Sequence, residues 1–271
     1  MTTRIITGLG LLITLIFALY MGGWVFAILW IAAVCLAMWE MFRALATAGH
    51  RPVAWPTWAA LIISIPCFLL LKTSEAITIL LAILYISMML VSILVMFRYE
   101  PKLEDFLMSV LPIFAVALPG MCLLALLRVE PWALQRMLLA LAFFVPVAGD
   151  AAAYFVGVKY GHVKLNEAIS PKKTVEGAVG GLLGSMLFAI IVYLVASSFG
   201  SNLPPFWHFP LLGLVGGVVS QAGDLFASMV KRHCNIKDYG HIFPGHGGMM
   251  DRLDSVLFMS VLVYLYRLFA V

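Results

Sequence analysis

Residues 141–157 read LAFFVPVAGDAAAYFVG, a stretch that is apolar or small throughout except for one carboxylate, Asp150. It forms the later part of an apolar run over about 132–157, and roughly 20 such residues suffice to cross the hydrocarbon of a bilayer as a helix. An acid within such a run is costly and raises a functional hypothesis by default. The plainer reading is a carboxylate bonded to a neighbouring helix. Both readings place this stretch in a membrane.

Working outward, similar runs lie at about 5–20, 22–46, 55–71, 75–97, 105–127, 174–199, 209–230 and 253–270, which makes about nine candidate spans. The 271 residues are 63% hydrophobic and only 11% charged, and their mean hydropathy is +1.06. A soluble domain is about 45–50% apolar and about 25% charged. The expected fold is therefore all-α, a polytopic transmembrane helix bundle, because backbone groups in hydrocarbon must bond within the chain. The runs are too long and too continuous for alternating barrel strands. No A-x-A-like cleavage site follows the first run, so it is read as a retained span. Pro112, Pro119 and Pro146 fall inside runs and are expected to kink or break helices. The chain is expected to divide into N-terminal transmembrane helices, 1–128, and a C-terminal transmembrane region, 129–271, that holds the candidate site.

Lys and Arg set orientation. With the N-terminus in the cytosol, Arg43, Arg51, Arg98, Lys102 and two charged loops, 158–173 and 231–252, share the cytosolic face. Lys72, Arg128, Arg136 and Arg267 fall on the far side, as does the uncharged loop SSFGSNLPPFWHF. The net charge of +4 needs no nucleic-acid partner. Four scattered cysteines without CxxC or Cys/His spacing give no support to zinc or redox chemistry.

Nearly half of the charged residues fall in 159–176 and 224–254. Topology accounts for the bases there but not for the acids. Asp224 lies in VGGVVSQAGDLFASMVKR, where a helix puts Ser220, Asp224 and Ser228 on one face, with small residues allowing close helix approach. Asp251 and Asp254 stand three apart at the expected start of the last span. Acids there favour the helix dipole and can cap the helix, so Asp254 reads as readily as a cap as a metal ligand. Asp251 follows PGHGGMM, whose glycines permit a tight loop. Asp224 and Asp251 approach from opposite ends of one loop, and two carboxylates without cysteine suit a hard cation such as magnesium.

The bases complement them. SPKKTVEG sets Ser170, Lys172, Lys173 and Thr174 before a helix whose free N–H groups can take phosphate. Equally, the lysines are surface anchors, and Ser170 or Thr174 is an N-cap with Glu167 or Glu176 nearby. This is not a phosphate-binding loop of the G-x-x-x-x-G-K-[ST] type. Lys231, Arg232, Lys237 and Arg252 are further cations suited to phosphate oxygens. His246 in GHGG reads as a phosphate donor or as a loop-ordering group, and His233 and His241 as structural.

The stretch SMVKRHCNIKDYGHIFPGHGGMMDRLD, Ser228–Asp254, resembles the CDP-diacylglycerol synthases, or phosphatidate cytidylyltransferases, whose pattern S-x-x-K-R-x4-K-D-x-G…P-x-H-G-G-x-x-D-R-x-D it meets without a gap. GDAAAYFVGVKYG, SPKKTVEG and GDLFAS are similar to the same family. The resemblance covers roughly the C-terminal half, and the N-terminal half matches in hydropathy. Ala227 stands where the family commonly has Glu, and Val175 where it often has Trp.

The resemblance implies cytidylyl transfer from CTP to phosphatidate with magnesium, and possible use of potassium beside it. It implies a homodimer in the bacterial inner membrane with the site facing the cytosol. By position it makes Asp224 and Asp251, with Asp254, metal ligands. Lys231, Arg232, Arg252 and His246 join Asp224 and Asp251 as catalytic groups. Asp150, Ser170, Lys172, Lys173, Thr174, Lys237, Asp238, Gly247 and Gly248 are placed with the substrates. The rivals are an ion-coupled transporter, which buried acids also permit, and a CDP-alcohol phosphotransferase, whose D-G-x2-A-R…G-x3-D-x3-D pattern is absent.

Overall fold

The computed structural model describes residues 2–70, 73–198 and 203–270. Lys72 and residues 199–202 of the uncharged loop lie outside the described residues. The chain is helical almost throughout: α1 (Thr2–Met21), α2 (Gly23–Thr47), α3 (Trp55–Leu70), α4 (Thr73–Met96), α5 (Leu103–Pro112), α6 (Leu118–Leu126), α7 (Trp132–Tyr160), α8 (Val175–Ser197), α9 (His208–His233) and α10 (Met250–Ala270). Seven helical stretches among the described residues are long and apolar enough to cross a membrane: Gly23–Thr47, Thr78–Met96, Leu103–Leu126, Trp132–Tyr160, Val175–Ser197, His208–His233 and Met250–Ala270. The expected spans at about 5–20 and 55–71 correspond to shorter apolar segments, Ile6–Met21 and Trp55–Cys67. The protein is a multi-pass, all-α membrane protein.

Three local features refine the sequence reading. Pro112 ends α5 without breaking the run, because a π-helical turn, Ile113–Ala117, carries the axis on into α6. Pro146 lies within α7, which continues through it to Tyr160. The charged segment before α8 is not plain loop. It forms a hairpin of β1 (Lys164–Asn166) and β2 (Ser170–Thr174), antiparallel, pairing Lys164 with Thr174 and Asn166 with Ser170. The Asn166 side chain closes its turn by accepting from the amides of Ala168 and Ile169, at 3.1 and 3.2 Å.

Two compact units are formed. The first comprises Met1–Ala125 with His233–Arg252, the second Leu126–Arg232 with Leu253–Val271. In the first, α2 supplies a buried face of Trp30, Val34, Ala37, Met38, Met41 and Leu45. The Trp30 indole donates to the Gly120 carbonyl at 2.8 Å, and a Cβ on Gly120 would lie 2.7 Å from Val34, so α2 and α6 touch nearly backbone to side chain. Asp105 ties the loop after α2 to α5: it accepts from the Arg51 amide at 2.9 Å and from Arg98 at 3.1 Å. In the second unit α7 and α8 pack through glycine. A Cβ on Gly180 would come within 2.5 Å of Val156, and one on Gly177 within 3.2 Å of the Gly157 Cα. Without a hydrophobic drive between helices in lipid, such close approach supplies the packing energy.

Candidate active site

In the second unit the charged side chains gather on α9 and the hairpin. Asp224 lies on α9 with Ser220 and Ser228 on its face. The Ser228 hydroxyl donates to Asp224 Oδ1 at 3.4 Å, and the Lys173 ammonium pairs with Oδ2. Arg232 Nε reaches the Ile169 carbonyl at 3.4 Å. These contacts join the hairpin to the end of α9, so the lysines of SPKKTVEG reach a carboxylate 51 residues further along the chain. Asp224 remains 25% exposed at its side chain. The buried Ser220 hydroxyl has no hydrogen-bond partner among the described residues.

Thr174 is the N-cap of α8: its hydroxyl accepts from the Gly177 amide at 3.1 Å. The Val175 amide bonds to the Val163 carbonyl at 2.9 Å. The Glu176 carboxylate takes the Val163 amide at 3.2 and 3.3 Å. Two of the four amides of this helix start are thus engaged within the protein, and the lysines are further phosphate-suited groups of the segment. Lys172 is exposed, and Ser170 is half-buried in β2.

Asp254 is 9% exposed and accepts from the Ser255 amide at 2.7 Å. The last helix begins at Met250, earlier than expected, so Asp254 stands inside α10 and is not its cap. The charged groups acting on it are Asp224, Lys231 and Asp150. Gly223 explains the proximity of Asp224, because a Cβ there would lie 2.8 Å from the Asp254 carbonyl oxygen and 2.9 Å from Phe258. Asp150 stands on an exposed side of α7. The second unit thus sets Asp254 near Asp224, which pairs with Lys173, and Lys231 and Asp150 also act on the charge of Asp254.

The rest of the charged stretch falls in the first unit, so the expected pair Asp224 and Asp251 draws one member from each unit. Asp251 Oδ2 accepts from the amides of Tyr239 and Gly248, at 2.8 and 3.0 Å. Gly247, with φ of +79°, adopts a backbone that favours glycine, and a Cβ there would lie 2.8 Å from Asp251 Oδ2. The loop closes on itself through the Phe243 amide to the Gly247 carbonyl at 3.0 Å and the His246 amide to the Phe243 carbonyl at 2.8 Å. These two bonds tie Asp251 to the loop that precedes α10. Lys237 and Arg252 are exposed, Asp238 half-buried and Gly248 buried. His246 Nδ1 is buried without a hydrogen-bond partner among the described residues. His233 Nε2 lies 2.7 Å from His50 Nε2 with the rings stacked, in keeping with a structural role. Burial raises the pKa of the Cys234 thiol above its ordinary value, which keeps it protonated and inert.

Two acids of the first unit escaped the sequence reading. Glu40 is fully buried on α2, and its Oε2 accepts from the Met250 amide at 2.8 Å. Asp105 is the second. The signal for Glu40 was present, since an acid within an apolar run is the same anomaly that singles out Asp150.

Among the described residues no three His, Cys, Asp or Glu side chains converge into a ready-made metal cage. Magnesium does not require one, since it keeps several waters and takes one or two carboxylates together with substrate phosphates. The carboxylates Asp224 and Asp254, oxygen donors without cysteine, fit such an ion.

The sequence profile of the Cytidylyltransferase family matches residues 2–270. A phosphatidate cytidylyltransferase of Bacillus subtilis is 47% identical over 123 residues, 45% of this chain and 44% of the relative. One of Thermotoga maritima is 38% identical over 117 residues, 43% of each chain. One of Synechocystis is 43% identical over 128 residues, 46% of this chain and 41% of the relative. The matched stretch thus spans less than half the length of these curated relatives. With the profile extending across nearly all of its residues, the chain belongs to the cytidylyltransferase family.

Proposed function

We propose that this protein transfers the cytidylyl group of CTP to phosphatidate, giving CDP-diacylglycerol and pyrophosphate at the cytosolic face of a bacterial inner membrane. The observation that carries the reading is the charged centre of the second unit, in which Lys173 pairs with Asp224 beside the buried Asp254. A group of acids and ammonium ions among apolar helices suits a reaction between a water-soluble triphosphate and a lipid phosphate. The names of the relatives support the same substrates.

In this reaction an oxygen of the phosphatidate phosphate bonds to the α-phosphorus of CTP. The bond from that phosphorus to the bridging oxygen breaks, and pyrophosphate leaves with the electron pair. A phosphate monoester has a second pKa of about 6, so the nucleophile is ionised at neutral pH and needs no strong base. The obstacle is the approach of two anions. Asp224 and Asp254 would hold magnesium, which supplies charge neutralisation and orients the triphosphate. Lys173, released from Asp224, would turn its ammonium to phosphate oxygens. Lys172, Lys231 and Arg232 add positive charge for the leaving pyrophosphate. The lipid tails would remain in the bilayer. A homodimer and a potassium ion belong to the same proposal.

Protein purified in detergent and given labelled CTP, phosphatidate and magnesium should release pyrophosphate and form a liponucleotide. Ion flux in proteoliposomes without nucleotide turnover would replace this reading with a transporter.

A further inference from the structure

Glu40 belongs to the N-terminal part of the chain, yet it bonds to a residue 210 positions later. It lies within the apolar helix α2 and is fully buried. Oε2 holds the amide of Met250, the first residue of α10. That amide has no partner within its own helix, and a carboxylate there also suits the positive end of the helix dipole. Oε1 is buried with no hydrogen-bond partner among the described residues. A Cβ on Gly240 or on Gly248 would overlap the carboxylate, so the loop backbone lies directly on it. From the other side, Asp251 Oδ2 takes the amides of Tyr239 and Gly248. Gly248 therefore lies between two acids, one touching its Cα and the other accepting its N–H.

From this arrangement we infer that Glu40 is a positioning residue for the 239–250 loop, setting the backbone that presents Asp238 and His246 and starts α10. A carboxyl group in a fully buried site is costly. Packing alone would be better served by an apolar side chain. What an apolar side chain lacks is an acceptor aimed at the Met250 amide. The inference rests on the cytidylyl-transfer reading for its catalytic consequence only.

Hydrogen exchange of the full chain in detergent tests it directly. Glu40→Ala should speed exchange across 239–250 by about tenfold or more, with α3 and α4 unchanged. Glu40→Gln keeps an oxygen for Met250 and should stay within about threefold of wild type. Gly248→Ala should loosen the loop as Glu40→Ala does, and in the Glu40→Ala background it should add little, because the overlap is gone. In turnover, Glu40→Ala should lower kcat/KM by about tenfold, with Glu40→Gln close to wild type. A loop as protected in Glu40→Ala as in wild type overturns the inference. So does loosening spread equally over α3 and α4, or a Glu40→Gln variant as impaired as Glu40→Ala. If wild type forms no liponucleotide, the proposed function fails, and the exchange pattern still decides the role of Glu40.

Discussion

The two units use their acids differently. In the first, Glu40, Asp105 and Asp251 each accept a backbone N–H: those of Met250, Arg51, and Tyr239 with Gly248. All three are buried. In the second, Asp224 is partnered by an ammonium and a hydroxyl and keeps a quarter of its side chain exposed. A backbone amide is fixed, and a carboxylate that serves it has become part of the fold. A lysine side chain can swing away, and a carboxylate held by one stays open to exchange for another cation. Exposure and partner together set Asp224 apart from the three acids of the first unit, while Asp254, buried and accepting the Ser255 amide, stands between the two kinds. Glu176 shows that the distinction follows the partner and not the unit, since it serves the Val163 amide within the second.

The contrast can be broken experimentally. The largest effect is expected at Asp224. Asp224→Asn should lower liponucleotide formation by about a hundredfold or more while leaving thermal unfolding in detergent nearly unchanged. A large loss of stability with turnover intact would move Asp224 into the structural class. Next comes Asp105, where Asp105→Ala leaves the part-buried Arg51 amide and the partly exposed Arg98 without their acceptor and should destabilise the first unit by about 1–2 kcal/mol, read by denaturant unfolding. Asp251→Asn tests the mixed case. It keeps an oxygen for Tyr239 and Gly248, so protection of those amides should fall by only about threefold, and a greater loss of activity than of protection would give Asp251 a chemical role as well. The smallest effect belongs to Thr174→Ala, which removes the cap of α8 and should cost about 1 kcal/mol.

The sequence carried what is local. Each apolar run became a helix because hydrocarbon forces the backbone to bond within its own segment, whatever surrounds it. The Thr174 cap and the shared face of Ser220, Asp224 and Ser228 followed from spacing along one helix. The density of charge in 224–254 marked the region that carries the strongest family resemblance. The hairpin at 164–174 was not legible, because its two short strands show little alternation and exist through pairing with each other. The early start of α10 was hidden for a related reason: its first amide is satisfied by Glu40, from another part of the chain.

Composition and hydropathy alone therefore determined that this is a membrane protein of helices with a polar centre near its C-terminal third. The tertiary structure alone decided which donors each acid meets. Glu40, Asp105 and Asp224 each have a donor distant along the chain. Hydrophobicity is a property of a segment and can be summed along it. A hydrogen bond is a property of two groups, and it appears only once folding has brought them within about 3 Å.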